Sequence, residues 1–155
     1  MSHEVTPGHL DEVKELVTAT GFFSSEEIDI AGELIEDCLI KGDGSGYFFL
    51  FAYHEGRLAG YTCFGPIPGT AASYDLYWIA VHPDYQKKGI GLKLLSETEV
   101  LIKKKGGSRI YVDTSNRLLY SGTRAFYRRS GYRLAAVLDD FYNRGDGKAI
   151  YCKEL

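Results

Sequence analysis

The chain has 155 residues, of which 45% are hydrophobic and 25% are charged. This composition is typical of one globular domain with a single core, and it excludes collagen-like and disordered chains. The net charge of −3 argues against a general nucleic-acid-binding protein, because phosphate contacts require a basic face. No apolar run approaches the ~20 residues of a membrane span, and no basic segment followed by an apolar stretch marks a signal peptide. We therefore expect neither a nucleic-acid nor a membrane partner.

The three cysteines, Cys38, Cys63 and Cys152, are an odd number at unrelated spacings. They predict reduced thiols in a cytoplasmic protein and argue against a disulfide framework. Neither a CxxC nor an HExxH pattern is present, so the sequence predicts no metal.

The hydrophobic pattern predicts four helices and six strands within one domain, residues 1–155. Apolar residues at helical spacing mark the first two helices, and Ser24 or Ser25 is the N-cap of the second. Aromatic and aliphatic runs between glycine-rich turns mark the strands. In chain order we expect helix Thr6–Thr20, a second helix that ends before Gly42, strands Tyr47–His54, Leu58–Phe64 and Tyr74–Val81, helix Gly89–Lys105, strand Arg109–Asp113, helix Thr123–Ser130, and strands Tyr132–Asp139 and Lys148–Lys153.

This order of elements predicts an α/β fold, a mixed central sheet with helices on both faces. Helix Gly89–Lys105 connects two strands as a crossover. The strands on either side of it, Tyr74–Val81 and Arg109–Asp113, are therefore expected to be parallel.

The loop between strand Tyr74–Val81 and the following helix has the features of an anion site. Its residues Gln86-Lys87-Lys88-Gly89-Ile90-Gly91 fit Q-x-x-G-x-G. The two glycines remove side chains where a bulky anion approaches the backbone, and the helix N-terminus adds positive charge. The alternative is a plain glycine-rich loop that lets the helix pack closely, and GxG by itself favours that alternative. Leu94 stands where GxGxxG has its third glycine and no G-K-[ST] follows, which excludes a dinucleotide fingerprint and a Walker loop.

Two motifs resemble those of the GNAT family of N-acetyltransferases. VHPDYQKKGIGLKLL is similar to the family's acetyl-CoA pyrophosphate motif, and AFYRRSGY is similar to its second signature. The resemblance covers nearly the whole chain and implies the GNAT-like acyl-CoA N-acyltransferase fold. It also implies that acetyl-CoA is the acyl donor, with the pyrophosphate on the loop and the pantetheine amides paired to the strand end like an added strand. The implied cofactor-binding residues are Ile79, Val81, Gln86, Lys87, Lys88, Gly89, Ile90, Gly91, Asn116 and Phe126.

The same resemblance implies a catalytic role for Tyr127. It falls at the position of the family tyrosine near the CoA sulfur, where a phenol donates a proton or a hydrogen bond to the leaving thiolate. The alternative is an ordinary residue of a short amphipathic helix.

Asp75 is the candidate general base, because some relatives carry a carboxylate at this position that acts directly or through water. Strand alternation is expected to place Asp75, Tyr77, Ile79 and Val81 on one face and Leu76, Trp78 and Ala80 on the other. Two alternatives stay open for the carboxylate: a strand-start residue bonded to nearby backbone, and an exposed edge residue.

One position departs from the family pattern. Tyr120 stands where many relatives have an asparagine near the pantetheine arm, and whether Asn116, four residues earlier, substitutes for it stays open. Arg128 and Arg129 either reach the CoA phosphates or are exposed helix charges. His82, which precedes a proline at the strand end, is expected to be structural.

The acceptor side is less specified. Phe22 and Phe23 either line an acceptor pocket, together with the loop Gly65–Thr70, or anchor the second helix in the core. No acidic cluster in the sequence indicates a polyamine.

Together these patterns predict a cytoplasmic, acetyl-CoA-dependent N-acetyltransferase that acts on a primary amine of a small molecule by direct attack. Two alternatives stay open: a protein or peptide N-acetyltransferase, and a non-catalytic acyl-CoA-binding regulatory module. The C-terminal strands also leave open a homodimer formed by strand pairing.

Overall fold

The computed structural model describes all residues from Met1 to Leu155 and contains the ten elements that the sequence predicts, in the same order. Three short 3₁₀ turns, Gly42–Ser45, Pro83–Tyr85 and Leu118–Tyr120, were not predicted. The helices are His9–Thr20 (α1), Ser25–Lys41 (α2), Ile90–Lys104 (α3) and Ser121–Arg129 (α4). The strands are Phe48–His54 (β1), Arg57–Pro66 (β2), Ser73–Val81 (β3), Arg109–Ser115 (β4), Arg133–Asn143 (β5) and Asp146–Glu154 (β6).

The six strands form one mixed sheet in the order β1-β2-β3-β4-β6-β5. β3 and β4 are parallel, as predicted, and their ladder runs from Ser73↔Arg109 to Leu76↔Val112. The other recorded strand pairs, β1 with β2, β4 with β6 and β6 with β5, are antiparallel. The predicted α/β fold with a mixed sheet is therefore confirmed.

The chain divides into two compact units, and each is built from separate segments. The first contains Met1–Gly65 and Trp78–Val100, and the second contains Pro66–Tyr77 and Leu101–Leu155. β3 and α3 each contribute residues to both units. No helix in the structure has the length and apolar character needed to cross a membrane.

Helices cover both faces of the sheet in the first unit. On one face, apolar residues of α1 and α2, among them Val13 and Ile35, pack against Tyr61 of β2. On the other face, Thr62 of β2 and Thr98 of α3 are fully buried, with their hydroxyl oxygens 2.7 Å apart. α2 begins with a capping box, in which Ser24 and Glu27 each accept a hydrogen bond from the backbone N–H of the other residue. Ser24 is thus the N-cap of α2.

In the second unit, helices α3 and α4 cover one face of the strands. The side chains of Tyr74 in β3 and Ile102 in α3 both close on Gly107, where a Cβ atom would find no room. Tyr127 of α4 is buried beside Tyr151 of β6, with ring centroids 6.0 Å apart. These contacts fix the short helix α4 against the sheet.

Trp78 and Ala80 of β3 share one face, as predicted, but Tyr74 earlier in the strand does not follow the same alternation. Tyr74 faces α3, whereas Trp78 and Ala80 belong to the cluster beneath α1 and α2, so even-numbered residues of the strand do not share one face. The ladder to β4 ends at Leu76, between these two sets. One extra residue in a strand, as in a β-bulge, produces such a change of face.

Candidate functional site

The loop between β3 and α3 has a backbone that few residue types adopt. After the 3₁₀ turn Pro83–Tyr85 the chain passes through Lys87, with φ 62°, and Gly89, with φ 79°. Glycine adopts such angles without strain, whereas lysine does so at a cost. Space is open beside Gly89, since a Cβ atom there would have no neighbour within 4 Å.

Five consecutive backbone N–H groups, at the end of this loop and the start of α3, have no acceptor within the protein. The N–H of Lys93 donates to the carbonyl of Gly89 at 3.0 Å, near the start of α3. The five N–H groups in question make no such bond. They belong to Lys87, Lys88, Gly89, Ile90 and Gly91. A row of unpaired N–H groups at a helix N-terminus attracts an anion, because the groups carry partial positive charge.

Side chains around the loop hold it on the end of β3. Gln86 is exposed, and its amide nitrogen donates to the carbonyl of Val81 at 3.1 Å. His82 donates its N–H to Ala59 of β2, and its Nδ1 accepts a hydrogen bond from the N–H of Asp84. His82 is therefore structural, as expected.

The loop also carries positive charge on two exposed side chains, Lys87 and Lys88. The Lys88 ammonium lies 5.6 Å from the centre of the Tyr85 ring. Ile79 and Val81 are half-buried in the last residues of β3. The first unit thus brings eight of the predicted cofactor-binding residues, from Ile79 to Gly91, onto one strand end, one loop and one helix start.

Asp75 lies in the second unit, on the part of β3 that pairs with β4, opposite Tyr111. The carboxylate is half-buried and accepts no hydrogen bond, so it is neither bonded to nearby backbone nor fully exposed. Burial raises the pKa of the Asp75 carboxyl above its usual value. The neighbouring Asp113 carboxylate raises that pKa further, and Lys148 opposes the change.

Sequence reasoning missed the two charged neighbours of Asp75. Asp113 lies two residues beyond Tyr111 on β4. The Lys148 ammonium lies 3.0 Å from the Asp113 carboxylate. Lys148 also lies 4.4 Å from the centre of the Phe141 ring. The parallel pairing of β3 and β4 was the available signal, because it predicts that alternate residues of the two strands share a face.

Tyr127 is 3% exposed on α4. Aromatic rings surround it, with the Phe126, Tyr132 and Tyr151 centroids at 5.5, 5.7 and 6.0 Å. Burial raises the pKa of the Tyr127 phenol well above its ordinary value, so the hydroxyl keeps its proton at neutral pH. Phe126, the neighbouring cofactor candidate, is half-buried.

Hydrogen bonds and ion pairs anchor the loop that follows β4. Asn116 is exposed, and its N–H donates to the carbonyl of Gly147 at 2.8 Å. Arg117 forms an ion pair with Asp146 at 3.2 Å, and Arg124 donates to the backbone carbonyls of both Ser115 and Arg117. The sequence did not predict this network, which joins the end of β4, the start of β6 and helix α4.

The remaining candidates divide by exposure. Arg128 and Arg129 are exposed in the last turn of α4, and Tyr120 is half-buried at the end of a 3₁₀ turn. Phe23 packs in the core against Trp78, with ring centroids 4.6 Å apart, whereas Phe22 is 42% exposed. Of the two phenylalanines, only Phe23 is a core anchor.

Comparisons with known proteins agree on one family. A sequence model described as the acetyltransferase (GNAT) family matches residues 11–132. A solved structure of a protein assigned to that family, from Desulfovibrio desulfuricans, is 43% identical and superposes with a TM-score of 0.97 over 99% of this chain and 96% of that one.

More distant relatives have named activities. Spermidine N(1)-acetyltransferase of Thermoplasma acidophilum is 26% identical over 86% of this chain and 90% of its own length. An aminoglycoside 6'-N-acetyltransferase solved with coenzyme A is 18% identical, with a TM-score of 0.77 over 99% of this chain and 97% of its own. The predicted activity, an acetyl-CoA-dependent N-acetyltransferase with acetyl-CoA as the acyl donor, is confirmed at the level of the family. The chain belongs to the acetyltransferase (GNAT) family.

Proposed function

We propose that this protein transfers the acetyl group of acetyl-CoA to a primary amine of a small molecule, by direct attack within a ternary complex. The observation that carries the proposal is the row of unpaired backbone N–H groups from Lys87 to Gly91 at the start of α3. An acyl-CoA presents a pyrophosphate, which is the kind of anion that such a row binds. We also propose that residues 1–155 work as one domain, which is supported by the division of β3 and α3 between both compact units.

Donor binding would use the backbone more than side chains. The N–H groups of Lys87, Lys88, Gly89, Ile90 and Gly91 would donate to the pyrophosphate oxygens. Gln86 has a second amide hydrogen for the same purpose, because only one is used by Val81. The open space beside Gly89 supports this role, since an anion needs close approach to the backbone there.

The pantetheine arm would pair with the end of β3. Its amides would bond to the backbone of Ile79 and Val81, and the end of the β3–β4 ladder at Leu76 supports an added strand beyond that point. Asn116 and Phe126 would contact the same arm, Asn116 from a loop already held by Gly147.

Asp75 would act as the general base. The attacking amine must be neutral, and a carboxylate of raised pKa is a stronger base than an ordinary one. The amine nitrogen attacks the thioester carbonyl carbon, and its proton passes to Asp75 directly or through water. The resulting tetrahedral intermediate collapses as the C–S bond breaks.

Tyr127 would act as the general acid. The leaving CoA thiolate takes the phenol proton, or a hydrogen bond from it, as the C–S bond breaks. Burial raises the pKa of the phenol, so Tyr127 keeps its proton and would act chiefly by donating a hydrogen bond to the thiolate.

The small-molecule acceptor is supported by the relatives, whose names specify spermidine and aminoglycosides. Asp75 and Asp113, brought together in the second unit, add negative charge that would attract a cationic amine. A cytoplasmic location is proposed from the free thiols Cys38, Cys63 and Cys152. A homodimer is proposed as well, because β5 lies at one end of the strand order and several of its apolar side chains are exposed.

A thiol-release screen tests the acceptor class. Purified protein is mixed with acetyl-CoA and, in turn, polyamines, aminoglycosides and peptides with free amino groups. We expect release of CoA thiol with one or more small amines and background release with peptides. Turnover of peptides alone would favour a protein acetyltransferase. Calorimetric binding of acetyl-CoA with no turnover of any amine would favour the regulatory module.

A further inference from the structure

A cavity of about 230 Å³ lies between α1 and the hairpin of β1 and β2, within the first compact unit. Its volume is below the roughly 300–1,000 Å³ of a pocket for a drug-sized ligand, so it fits a molecule about as large as an amino acid. None of the residues that line it is among those proposed above to bind acetyl-CoA or to react. The lining consists chiefly of Glu12, Glu15, Leu16, Arg57, Leu58 and His82.

The lining carries charges of both signs. Glu12 and Glu15 are three residues apart on α1 and therefore lie on the same side of that helix. Arg57 brings a guanidinium from the start of β2. Neither Glu15 nor Arg57 forms an ion pair within the chain, so both charges are available to a ligand.

Glu12 is held in place by the rest of the protein. Its Oε2 accepts a hydrogen bond from the Tyr53 hydroxyl at 2.7 Å, and that hydroxyl lies 2.9 Å from Nε2 of His9. A carboxylate has a second oxygen, so Glu12 can still accept a hydrogen bond from a ligand.

His82 adds a hydrogen-bond donor to the lining. Its Nδ1 accepts the N–H of Asp84 at 3.2 Å, so the proton of the neutral ring is on Nε2. The His82 side chain is only 14% exposed, and its Nε2–H has no acceptor within the chain. A donor so nearly buried is stabilised by an acceptor from a ligand, because an unbonded one loses the hydrogen bond it would make to water.

The hairpin turn fixes the position of Arg57. Glu55 and Gly56 have φ values of 51° and 79°, which is the combination of a two-residue type I′ turn. His54 and Arg57 pair directly across that turn. The backbone of Arg57 is therefore set by the hairpin, whether or not a ligand is present.

We propose that this cavity binds an α-amino acid with a cationic side chain, such as lysine or ornithine. The carboxylate of the ligand would accept hydrogen bonds from Arg57 and from Nε2 of His82. Its two ammonium groups would pair with Glu12 and Glu15, and the apolar part of the lining would contact its methylene groups.

The charges of the lining select this class of ligand. Two carboxylates and one guanidinium match two ammonium groups and one carboxylate. A polyamine would leave Arg57 without a partner, and an amino acid with an uncharged side chain would leave one glutamate without one. The proposal does not depend on the acceptor or on the catalytic residues.

Calorimetric titration in the absence of acetyl-CoA tests the site, because no acetyl transfer can then occur. We expect L-lysine to bind with a dissociation constant on the order of 1 mM or lower. L-Norleucine lacks the side-chain ammonium and cadaverine lacks the carboxylate, so each loses a charged contact and should bind at least roughly tenfold more weakly. The absence of saturable binding of L-lysine, or equally tight binding of either analogue, would overturn the proposal.

Two substitutions assign the binding to this cavity. Arg57→Gln should weaken the binding of L-lysine at least roughly tenfold without weakening that of cadaverine, which has no carboxylate. Glu15→Gln should weaken the binding of both compounds. Wild-type affinity for L-lysine in either variant would contradict the proposed site.

Arg144→Gln and Glu33→Gln are the matched controls. Each removes the same kind of charge from an exposed residue that forms no ion pair and does not line the cavity. Both should bind L-lysine as the wild type does, and a loss of affinity equal to that of Arg57→Gln and Glu15→Gln would mean that only the net charge matters, which would overturn the proposal. Circular dichroism of every variant checks that the fold is retained.

Discussion

At the scale of single residues, the proposed chemistry depends on Asp75 and Tyr127, and burial raises the pKa of both side chains. The pKa of Asp75 is raised by burial and by Asp113, which makes its carboxylate a better base once it is deprotonated. The pKa of Tyr127 is raised by burial, which keeps its phenol protonated as a donor. The acidity of each proposed catalytic residue thus depends on neighbours from other strands and helices.

The first prediction concerns the charge beside Asp75. Asp113→Asn removes a like charge and releases Lys148 from its ion pair, and both changes lower the pKa of Asp75. A lower pKa means that the base is deprotonated at lower pH, so the acid limb of the kcat/KM profile should move to lower pH. Asp75→Asn should reduce the rate most at low pH, where the amine is hardest to deprotonate.

Asp37→Asn is the control for this prediction, because it removes a carboxylate that pairs with Lys41 on α2. Its pH profile should match that of the wild type. An acid limb that stays in place in Asp113→Asn would mean that Asp75 is not the base that the profile reports.

The second prediction concerns Tyr127. Tyr127→Phe removes the proton donor and keeps the ring packed beside Tyr132 and Tyr151. General acid catalysis contributes about 10²–10⁴-fold, so kcat should fall by at least roughly 100-fold with little change in acetyl-CoA affinity. Steady-state kinetics and calorimetry separate the two effects. Equal loss of affinity and turnover would assign Tyr127 to binding, and full activity would remove it from the mechanism.

Some of these residue roles were predictable and others were not. Tyr127 and the loop could be proposed from the sequence because they lie in short, contiguous motifs. Asp113 and Lys148 were missed because their relation to Asp75 depends on strand pairing between segments far apart in the sequence. The positive φ of Lys87 was also missed, since nothing about a lysine in a sequence indicates such an angle.

At the scale of elements, we propose that the start of α3 binds the pyrophosphate of acetyl-CoA. Gly89 has a positive φ and open space beside it, so two different effects follow from a substitution there. Gly89→Ala strains the backbone by on the order of 1–3 kcal/mol, and its methyl group would occupy the path of the pyrophosphate. We expect acetyl-CoA affinity to fall at least tenfold.

Gly106→Ala separates the two effects. Gly106 lies just beyond the other end of α3, also has a positive φ, and also has no neighbour within 4 Å of an added Cβ atom. This variant should lose similar stability in urea unfolding and keep the wild-type affinity in calorimetry. Equal affinity for acetyl-CoA in Gly89→Ala and Gly106→Ala would refute the proposal that the loop before α3 binds the pyrophosphate.

Element boundaries followed the sequence where a strong local signal existed. Ser24 and Glu27 form a capping box, and α2 begins where that pattern predicts. The C-terminal strands were predicted too short, because the last residues of β5 have no periodic signal, and the strand is closed by the pairing of Asn143 with Asp146 of β6. The change of face along β3 was unpredictable for the same reason, since a bulge depends on the partner strand.

At the scale of the whole molecule, the order of helices and strands was predictable. Which strands are buried by other segments was not. Hydrophobic periodicity is local, so it predicts which segments become helices and strands. Whether a strand such as β5 is covered depends on which other segments pack on it, and its exposed apolar residues became evident only in the structure.

The stability of the molecule should depend on pH through His9, which is 4% exposed and stacks on Phe51 with ring centroids 3.7 Å apart. Its Nδ1 accepts a hydrogen bond from the N–H of Thr6, so Nε2 carries the proton and donates to the hydroxyl of Tyr53. That hydroxyl donates to Glu12 at 2.7 Å, and burial and Glu12 raise the pKa of Tyr53 to about 12. Burial favours the neutral form of the His9 imidazole, whereas the Glu12 carboxylate in this network favours the charged form.

Burial lowers the pKa of His9 below its value in the unfolded chain, 6.5, although Glu12 opposes the shift. The unfolded chain therefore binds a proton at a higher pH than the folded protein does. The free energy of unfolding should accordingly fall as the pH decreases through 6.5, until the folded-state pKa is reached. Urea unfolding at a series of pH values measures this slope. The glutamine of His9→Gln cannot titrate, so this variant should flatten the slope of unfolding free energy against pH. His3→Gln replaces an exposed imidazole near the N-terminus and should keep the wild-type slope. A wild-type slope in His9→Gln would mean that another group controls the pH dependence of stability.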